Sequence, residues 1–221
     1  MSHFTGQTLT CVRGERRVFA HLDFTVESGG ALLLVGPNGS GKSSLLRVMA
    51  GLLRPFGGMV AWDGGDILDD TDAHNARLHY VGHLDAVKPV MTVAENLGFW
   101  AGLRSDAGNL DAIVKEALET FGIGHLADVP GRFLSAGQKR RVNLARLLAA
   151  PATLWLLDEP TTALDRAAIA SLEAAIARHR SGGGMVCVCT HVDLGIDGAR
   201  TLDLGNFSGK RAPGAFDGVA A

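Results

Sequence analysis

Ala31-Leu32-Leu33-Leu34-Val35-Gly36-Pro37-Asn38-Gly39-Ser40-Gly41-Lys42-Ser43-Ser44 is the stretch on which the reading of this chain turns. Five apolar residues, Ala31–Val35, predict a buried strand, and the apolar spacing over 42–52 predicts a helix. The loop between them meets every fixed position of GxxxxGK[ST] from Gly36 to Ser43, in the strand-to-helix setting that gives the pattern its meaning. Its glycines let backbone N–H groups turn inward around phosphate, and the positive end of the following helix adds its attraction. Lys42 is placed to reach β- and γ-phosphates, and the Ser43 hydroxyl to take a position on Mg2+. The nucleotide-binding residues expected from this stretch are Gly36, Pro37, Asn38, Gly39, Ser40, Gly41, Lys42, Ser43 and Ser44.

Downstream, Leu154-Trp155-Leu156-Leu157-Asp158-Glu159-Pro160 is an apolar strand that ends in two carboxylates. Open α/β sheets bind ligands at the carboxyl ends of their strands, so Asp158 is the expected partner of Mg2+, through water. Glu159 then stands where it can polarise a water that attacks the γ-phosphate. Between these two motifs, Leu134-Ser135-Ala136-Gly137-Gln138 opens an apolar-periodic helix. Ser135 reads as the N-cap, and the helix start with Gly137 makes a second anion-binding end.

Outward from the motifs, paired β-segments are expected near 8–13 and 17–26. Short strands follow at 59–62 and 77–82, with a polar stretch at 63–75 between them. Helical spacing marks 93–102, 110–121 and 136–150, and then comes a strand at 153–157, a helix at 166–179 and a strand at 185–190. The class is α/β, a P-loop NTPase core with an N-terminal antiparallel β-segment. A helical subdomain is expected as an insert over about 84–150, all within one domain of 1–221. The tail from Gly205 is rich in Gly, Ala and Pro and is expected to be loosely held.

Composition narrows the possibilities. Hydrophobic residues make up 47% and charged residues 20% of the 221, which excludes bulk disorder. A formal net charge of −2 lacks the basic footprint of a nucleic-acid binder that grips phosphates. No window approaches the roughly 18 uninterrupted apolar residues that a spanning helix needs. The start, MSHFTGQTLTCVRGERR, shows no apolar segment after a basic one, so no secretory signal is expected. A cytoplasmic chain follows, one whose connection to a membrane runs through a partner.

With Thr162-Ala163-Leu164-Asp165 and with His191 after a strand, the three motifs resemble the ATP-binding subunit of ABC transporters, in order and over nearly the whole chain. That resemblance implies ATP hydrolysis and a head-to-tail homodimer with two ATPs between the chains. Leu134, Ser135, Ala136, Gly137 and Gln138 of one chain would face the γ-phosphate held by Gly36–Ser43 of the other. Asp165 would lie at the dimer seam, and His191 would contact the γ-phosphate and hold Glu159 and the water in place. The family has a Gln linking Mg2+ to the membrane partner where this chain has His83. It stacks an aromatic on adenine where this chain has Arg13. Tyr80-Val81-Gly82-His83, Lys88 and the run from Leu134 to Val142 are similar to one branch, the haem-exporter ATPases of cytochrome c biogenesis. The branch implies integral membrane subunits of the haem-exporter type as partners, on the cytoplasmic face of a bacterial inner membrane, and no nucleic acid. Another ABC exporter of unknown cargo is the alternative. Soluble repair or translation ATPases carry tandem motif sets or long inserts, and a non-hydrolysing clamp is disfavoured by the intact Glu159 and His191.

Several features have a structural and a functional reading side by side. Cys11, Cys187 and Cys189 are the three cysteines, too few and too odd in number for a disulfide framework. Cys187, Cys189 and His191 share one strand face, as metal ligands or, preferred here, as two core residues before a functional His. His74, His79 and His83 are read as surface residues of a polar region rather than haem ligands. Lys139-Arg140-Arg141 is read as a solvated helix face. Trp62, Trp100 and Trp155 are read as packing, with Phe99 and Trp100 alternatively lining a groove for the membrane partner.

Overall fold

In the computed structural model, residues 2–104 and 109–207 are described. The chain begins with a long hairpin, β1 (His3–Arg13) and β2 (Arg16–Glu27). β1 also pairs antiparallel with β4 (Gly57–Trp62), and β4 with the two-residue β5 (Gly65–Asp66), so the first sheet runs β2-β1-β4-β5. The second sheet is parallel, in the order β6 (Leu78–Val81), β7 (Leu154–Asp158), β8 (Met185–Cys189), β3 (Ala31–Val35) and β9 (Arg200–Asp203).

Alternation along the parallel strands sends their side chains into two cores. Leu32, Leu34, Leu154, Leu156, Cys187 and Cys189 pack with α1 (Lys42–Met49) and with Phe4, Leu9 and Phe19 of the antiparallel sheet. Trp155, Leu157, Val186 and Val188 face the other way, toward α3 (Val93–Gly102), α4 (Leu110–Thr120), α5 (Ala136–Ala149) and α6 (Arg166–Ser181). Burial on both faces is why β3, β7 and β8 read as unbroken apolar runs. The expected strands and helices are found at these places, with ends shifted by a few residues. Among the described residues, no helix is long and apolar enough to cross a membrane.

Three local expectations are corrected. α1 stops at Met49 rather than 52, because Gly51 takes φ +71 and closes the helix: its N–H donates to Val48 O, and Leu52 N–H to Arg47 O. The polar stretch at 63–75 contains β5 and most of α2 (Thr71–Arg77), which Asp70 caps by accepting from Ala73 N–H. β9, a polar and mostly exposed edge strand, was not expected at all. Of the tail from Gly205, the first three residues belong to a 3-10 turn that begins at the buried Leu204, and 208–221 lie outside the described residues.

Candidate nucleotide-binding site

Because β7, β8 and β3 are neighbours, their carboxyl ends open on one edge: Leu34 pairs with Cys189, which also pairs with Asp158. The loop after β3 carries the glycines. Gly41 adopts φ +106, and a Cβ there would lie 2.5 Å from the Val18 side chain, so only glycine lets the loop pass under β2. As N-cap of α1, Gly41 offers no side-chain cap, and the first turn holds no acid, so the helix dipole and its first N–H groups meet no competing carboxylate. Lys42 is 8% exposed and its Nζ donates to Gly36 O at 2.7 Å and Pro37 O at 3.2 Å, curling over the loop. Ser40 Oγ is buried there without a hydrogen-bond partner in the protein.

Ser43 Oγ donates to Asp158 Oδ1 at 2.9 Å, joining the glycine loop to the end of β7. Next in sequence, Glu159 adopts φ +48, and its N–H donates to Cys189 O at 2.8 Å. That unusual backbone turns the carboxylate toward the end of β8, where Oε1 lies 3.3 Å from His191 Nε2 and accepts from the Cys189 thiol at 3.6 Å. Burial, with Glu159 and Asp158 nearby, pushes the Cys189 thiol up to about 12, so it stays a neutral donor. Cys187 lies one pleat deeper in the core, its thiol also pushed up by burial, whereas the His191 side chain is 63% exposed.

These groups line a cavity of about 570 Å3: Asn38 and Gly39 with Gly41 to Ser44 on one side, Glu159, Thr162, Cys189 and His191 on the other. Arg13, Arg16 and Val18 of the first hairpin complete the lining. Arg13 thus lines the same cavity as the glycine loop, as does Arg16, which reaches Gly39 O at 3.3 Å and carries no motif in the sequence. His83 is exposed on the loop after β6 and is not part of the lining. Nor is any residue from Leu134 to Gln138. Leu134 is buried, whereas Ser135 and Ala136 are exposed at the start of α5. Ser135 Oγ accepts from Gln138 N–H at 3.3 Å and Gln138 Oε1 accepts from Ser135 N–H at 2.8 Å, a reciprocal capping box. Asp165 caps α6 through Ala168 N–H at 2.9 Å and pairs with Arg141; the Ala168 N–H, more than the guanidinium, holds its carboxyl below the usual range.

Two readings of charged residues are overturned. The run Lys139-Arg140-Arg141 is not a solvated face: Arg140 is 3% exposed, and its guanidinium donates to the carbonyls of Asp158, Glu159 and Pro160. The sequence held a signal for this, since Arg140 falls in register with the buried Leu144 and Leu147 at i+4 and i+7. His74 and His79 are not surface residues either. Each is 2% exposed, His74 bonded to Met49 O across 2.9 Å and His79 bonded to Ala150 O. Trp155 is packing, as expected, stacked on His179 with centroids 3.9 Å apart. Phe99 is 42% exposed beneath Lys88, and the Arg146 guanidinium lies 4.5 Å from the Trp100 ring centroid.

Comparison with known proteins decides the family. The profile described as ABC transporter matches residues 19–162. The chain belongs to the ABC transporter family. Among curated relatives of this ABC chain, the cytochrome c biogenesis ATP-binding export protein CcmA of Paramagnetospirillum magneticum is 59% identical, over 94% of this chain and 96% of the relative. CcmA of Rhodospirillum rubrum is also 59% identical, over 96% of this chain and 91% of the relative, and that of Bradyrhizobium diazoefficiens is 50% identical over 91% and 97%. Two solved structures share the ABC ATPase fold. An ATP-binding subunit of an ABC transporter aligns with TM-score 0.82 at 22% identity, over 91% of this chain and 86% of that one. An ABC transporter ATP-binding protein of Pyrococcus furiosus aligns with TM-score 0.78 at 23% identity, over 94% and 100%. As an ABC ATPase, the chain binds and hydrolyses ATP.

Proposed function

We propose that this chain is the ATP-hydrolysing, energy-coupling subunit of a transporter complex for c-type cytochrome biogenesis. It acts as a homodimer attached to integral membrane subunits on the cytoplasmic face of a bacterial inner membrane. The observation that carries the chemistry is Glu159, its carboxylate held by His191 and Cys189 in the cavity that the Lys42 loop also lines. The observation that carries the biology is the identity of 59% to relatives named for cytochrome c biogenesis export.

Within this reading, Lys42 exchanges its bonds to Gly36 O and Pro37 O for β- and γ-phosphate oxygens. The Ser43 hydroxyl and the Asp158 carboxylate are hard oxygen donors 2.9 Å apart, a set that suits Mg2+. Bound there with ATP, Mg2+ supplies neutralisation of charge on the phosphate oxygens. Glu159 orients the attacking water and accepts its proton, and His191 fixes the carboxylate and reaches toward the γ-phosphate. Ser135 to Gln138 of the partner chain close the site, and Asp165 lies at the seam. His83 sits on the loop that meets the membrane subunits; in the same segment Leu84 and Val90 are 85% and 80% exposed, and with Phe99, 42% exposed beneath Lys88, they give that contact its apolar surface.

The test pairs an enzyme assay with a cell assay. Glu159→Gln is expected to lower ATP turnover by at least about 100-fold, the range of a lost general base. In the host lacking the gene, covalently bound haem in c-type cytochromes should vanish on a haem-stained gel, return with the wild-type gene and stay absent with Glu159→Gln. Unchanged cytochromes in the deletion strain would leave an ABC exporter of another cargo.

A further inference from the structure

We propose that Arg140 is a positioning residue for Glu159, and that the loop at 82–85 is mechanically tied to the hydrolytic end of β7 through it. The claim rests on Glu159 being the hydrolytic carboxylate.

A guanidinium has five N–H donors in a fixed fork, and at Arg140 five acceptors receive them. Nε–H donates to Pro160 O at 3.2 Å, and Nη2 donates to Asp158 O at 3.0 Å and Glu159 O at 2.5 Å. Nη1 points the other way, to Gly82 O at 2.8 Å and Asp85 Oδ1 at 3.3 Å. Asn143, one turn along α5, adds a bond to the same Asp85 oxygen at 3.4 Å. One side chain, 3% exposed, thus fastens three successive carbonyls at the end of β7 to the loop after β6.

Those three carbonyls bracket the residue whose backbone is in the left-handed region, Glu159 at φ +48. A glutamate keeps such a conformation only where its surroundings enforce it. Cys189 O fixes its N–H from one side, and Arg140 fixes its carbonyl and both neighbouring carbonyls from the other. Lysine has three donors on a single atom and no planar fork, so it can hold one end of this arrangement but not both. A displacement of 82–85 pulls on the same rigid group that sets the Glu159 backbone.

The experiment uses the full-length chain and compares Arg140→Lys, Arg140→Gln, Asp85→Ala and the double variant Arg140→Lys/Asp85→Ala. Arg140→Lys is expected to lower kcat per folded chain at least about ten-fold, since an ångström of misplacement can cost roughly a hundred-fold. The dissociation constant of a fluorescent ATP analogue should stay within about two-fold, because no Arg140 bond reaches the cavity lining except through Glu159. Asp85→Ala should lower kcat less, and the double variant should be no worse than Arg140→Lys alone, the non-additivity of one linked unit. Amide exchange at 159–161 should quicken in every variant. Wild-type kcat and exchange in Arg140→Lys would overturn the proposal, as would strictly additive losses. If both Arg140 variants fail to fold, Asp85→Ala decides: unchanged exchange at 159–161 overturns it, and faster exchange supports it. A wild-type chain that turns over ATP no faster than Glu159→Gln would instead sink the assignment of Glu159.

Discussion

His79 lies on β6 with its ring bonded to Ala150 O and with Arg146 and Arg104 nearby. Burial holds its pKa down to about 3; the carbonyl bond opposes it, and the nearby guanidiniums add smaller downward pushes. His74 and His179 are lowered too, chiefly by burial. In the unfolded chain such a histidine takes up a proton near pH 6.5; in the folded chain it does not until far lower pH. The unfolded state therefore binds more protons as pH falls below 6.5, and stability falls with it, while above 6.5 the contribution is constant. Each fully excluded proton costs up to about 1.4 kcal/mol per pH unit. The urea midpoint is expected to be clearly lower at pH 5 than at pH 7.5. His79→Gln, which keeps a donor but does not titrate, should flatten that difference; an unchanged difference in the variant would show that His79 is not a source of it. None of this was legible in the sequence, where His74 and His79 stand among Asp, Asn and Arg and look solvated. Arg140 is hidden for the same reason: a charged residue in a basic run looks exposed, although its helical register sets it beside the buried Leu144.

Close packing between elements shows at Gly137, in the first turn of α5, where a Cβ would come within 2.8 Å of Ala163 O on the loop that leads into α6. That loop is itself constrained, with Ala163 at φ +61 and Asp165 capping α6 while it pairs with Arg141 of α5. Gly98, inside α3, is the opposite case, with open space where its Cβ would be. Helix propensity alone favours Ala over Gly by about 1 kcal/mol at an interior position. Gly98→Ala is thus expected to stabilise by roughly 0.5–1 kcal/mol, and Gly137→Ala to lose that gain to the contact with Ala163 and to lower ATP turnover. Urea unfolding of both variants beside wild type checks the pair. Equal stabilisation at the two positions would mean the Ala163 loop yields freely. The elements that were legible are those whose physics is local: glycine loop, capped α5, and strands buried on both faces. β9 was not, because an edge strand with Arg200, Thr201 and Asp203 outward carries no apolar run. α2 was hidden likewise, a helix with only His74 buried.

In the proposed homodimer each chain supplies one half of each site. The cavity beside Lys42, Asp158 and Glu159 has no lining from 134–138, and the capped start of α5 presents Ser135 and Ala136 to solvent. Among the described residues, the start of α5 and the phosphate loop are therefore not brought together in that cavity. The proposed two-fold dimer would bring the start of each α5 to the cavity of the other chain and close two sites at once. In that arrangement Lys42 and Ser135 of one chain would serve different sites, which makes them separable by mixing. Lys42→Ala removes the phosphate grip, and Ser135→Arg blocks the approach of α5, so each variant alone should be inactive. In a mixed dimer, the intact loop of the Ser135→Arg chain meets the intact α5 of the Lys42→Ala chain, and one working site forms. Equal amounts give half mixed dimers with one site of two, so about a quarter of wild-type turnover is expected where the sites act independently. Turnover should appear only on mixing and scale with the fraction of mixed dimer seen by light scattering in the presence of ATP. If mixed dimers form and stay as inactive as the parents, the site is not shared between chains in this way. The exposed capping box at Ser135 would then be a structural cap and no more.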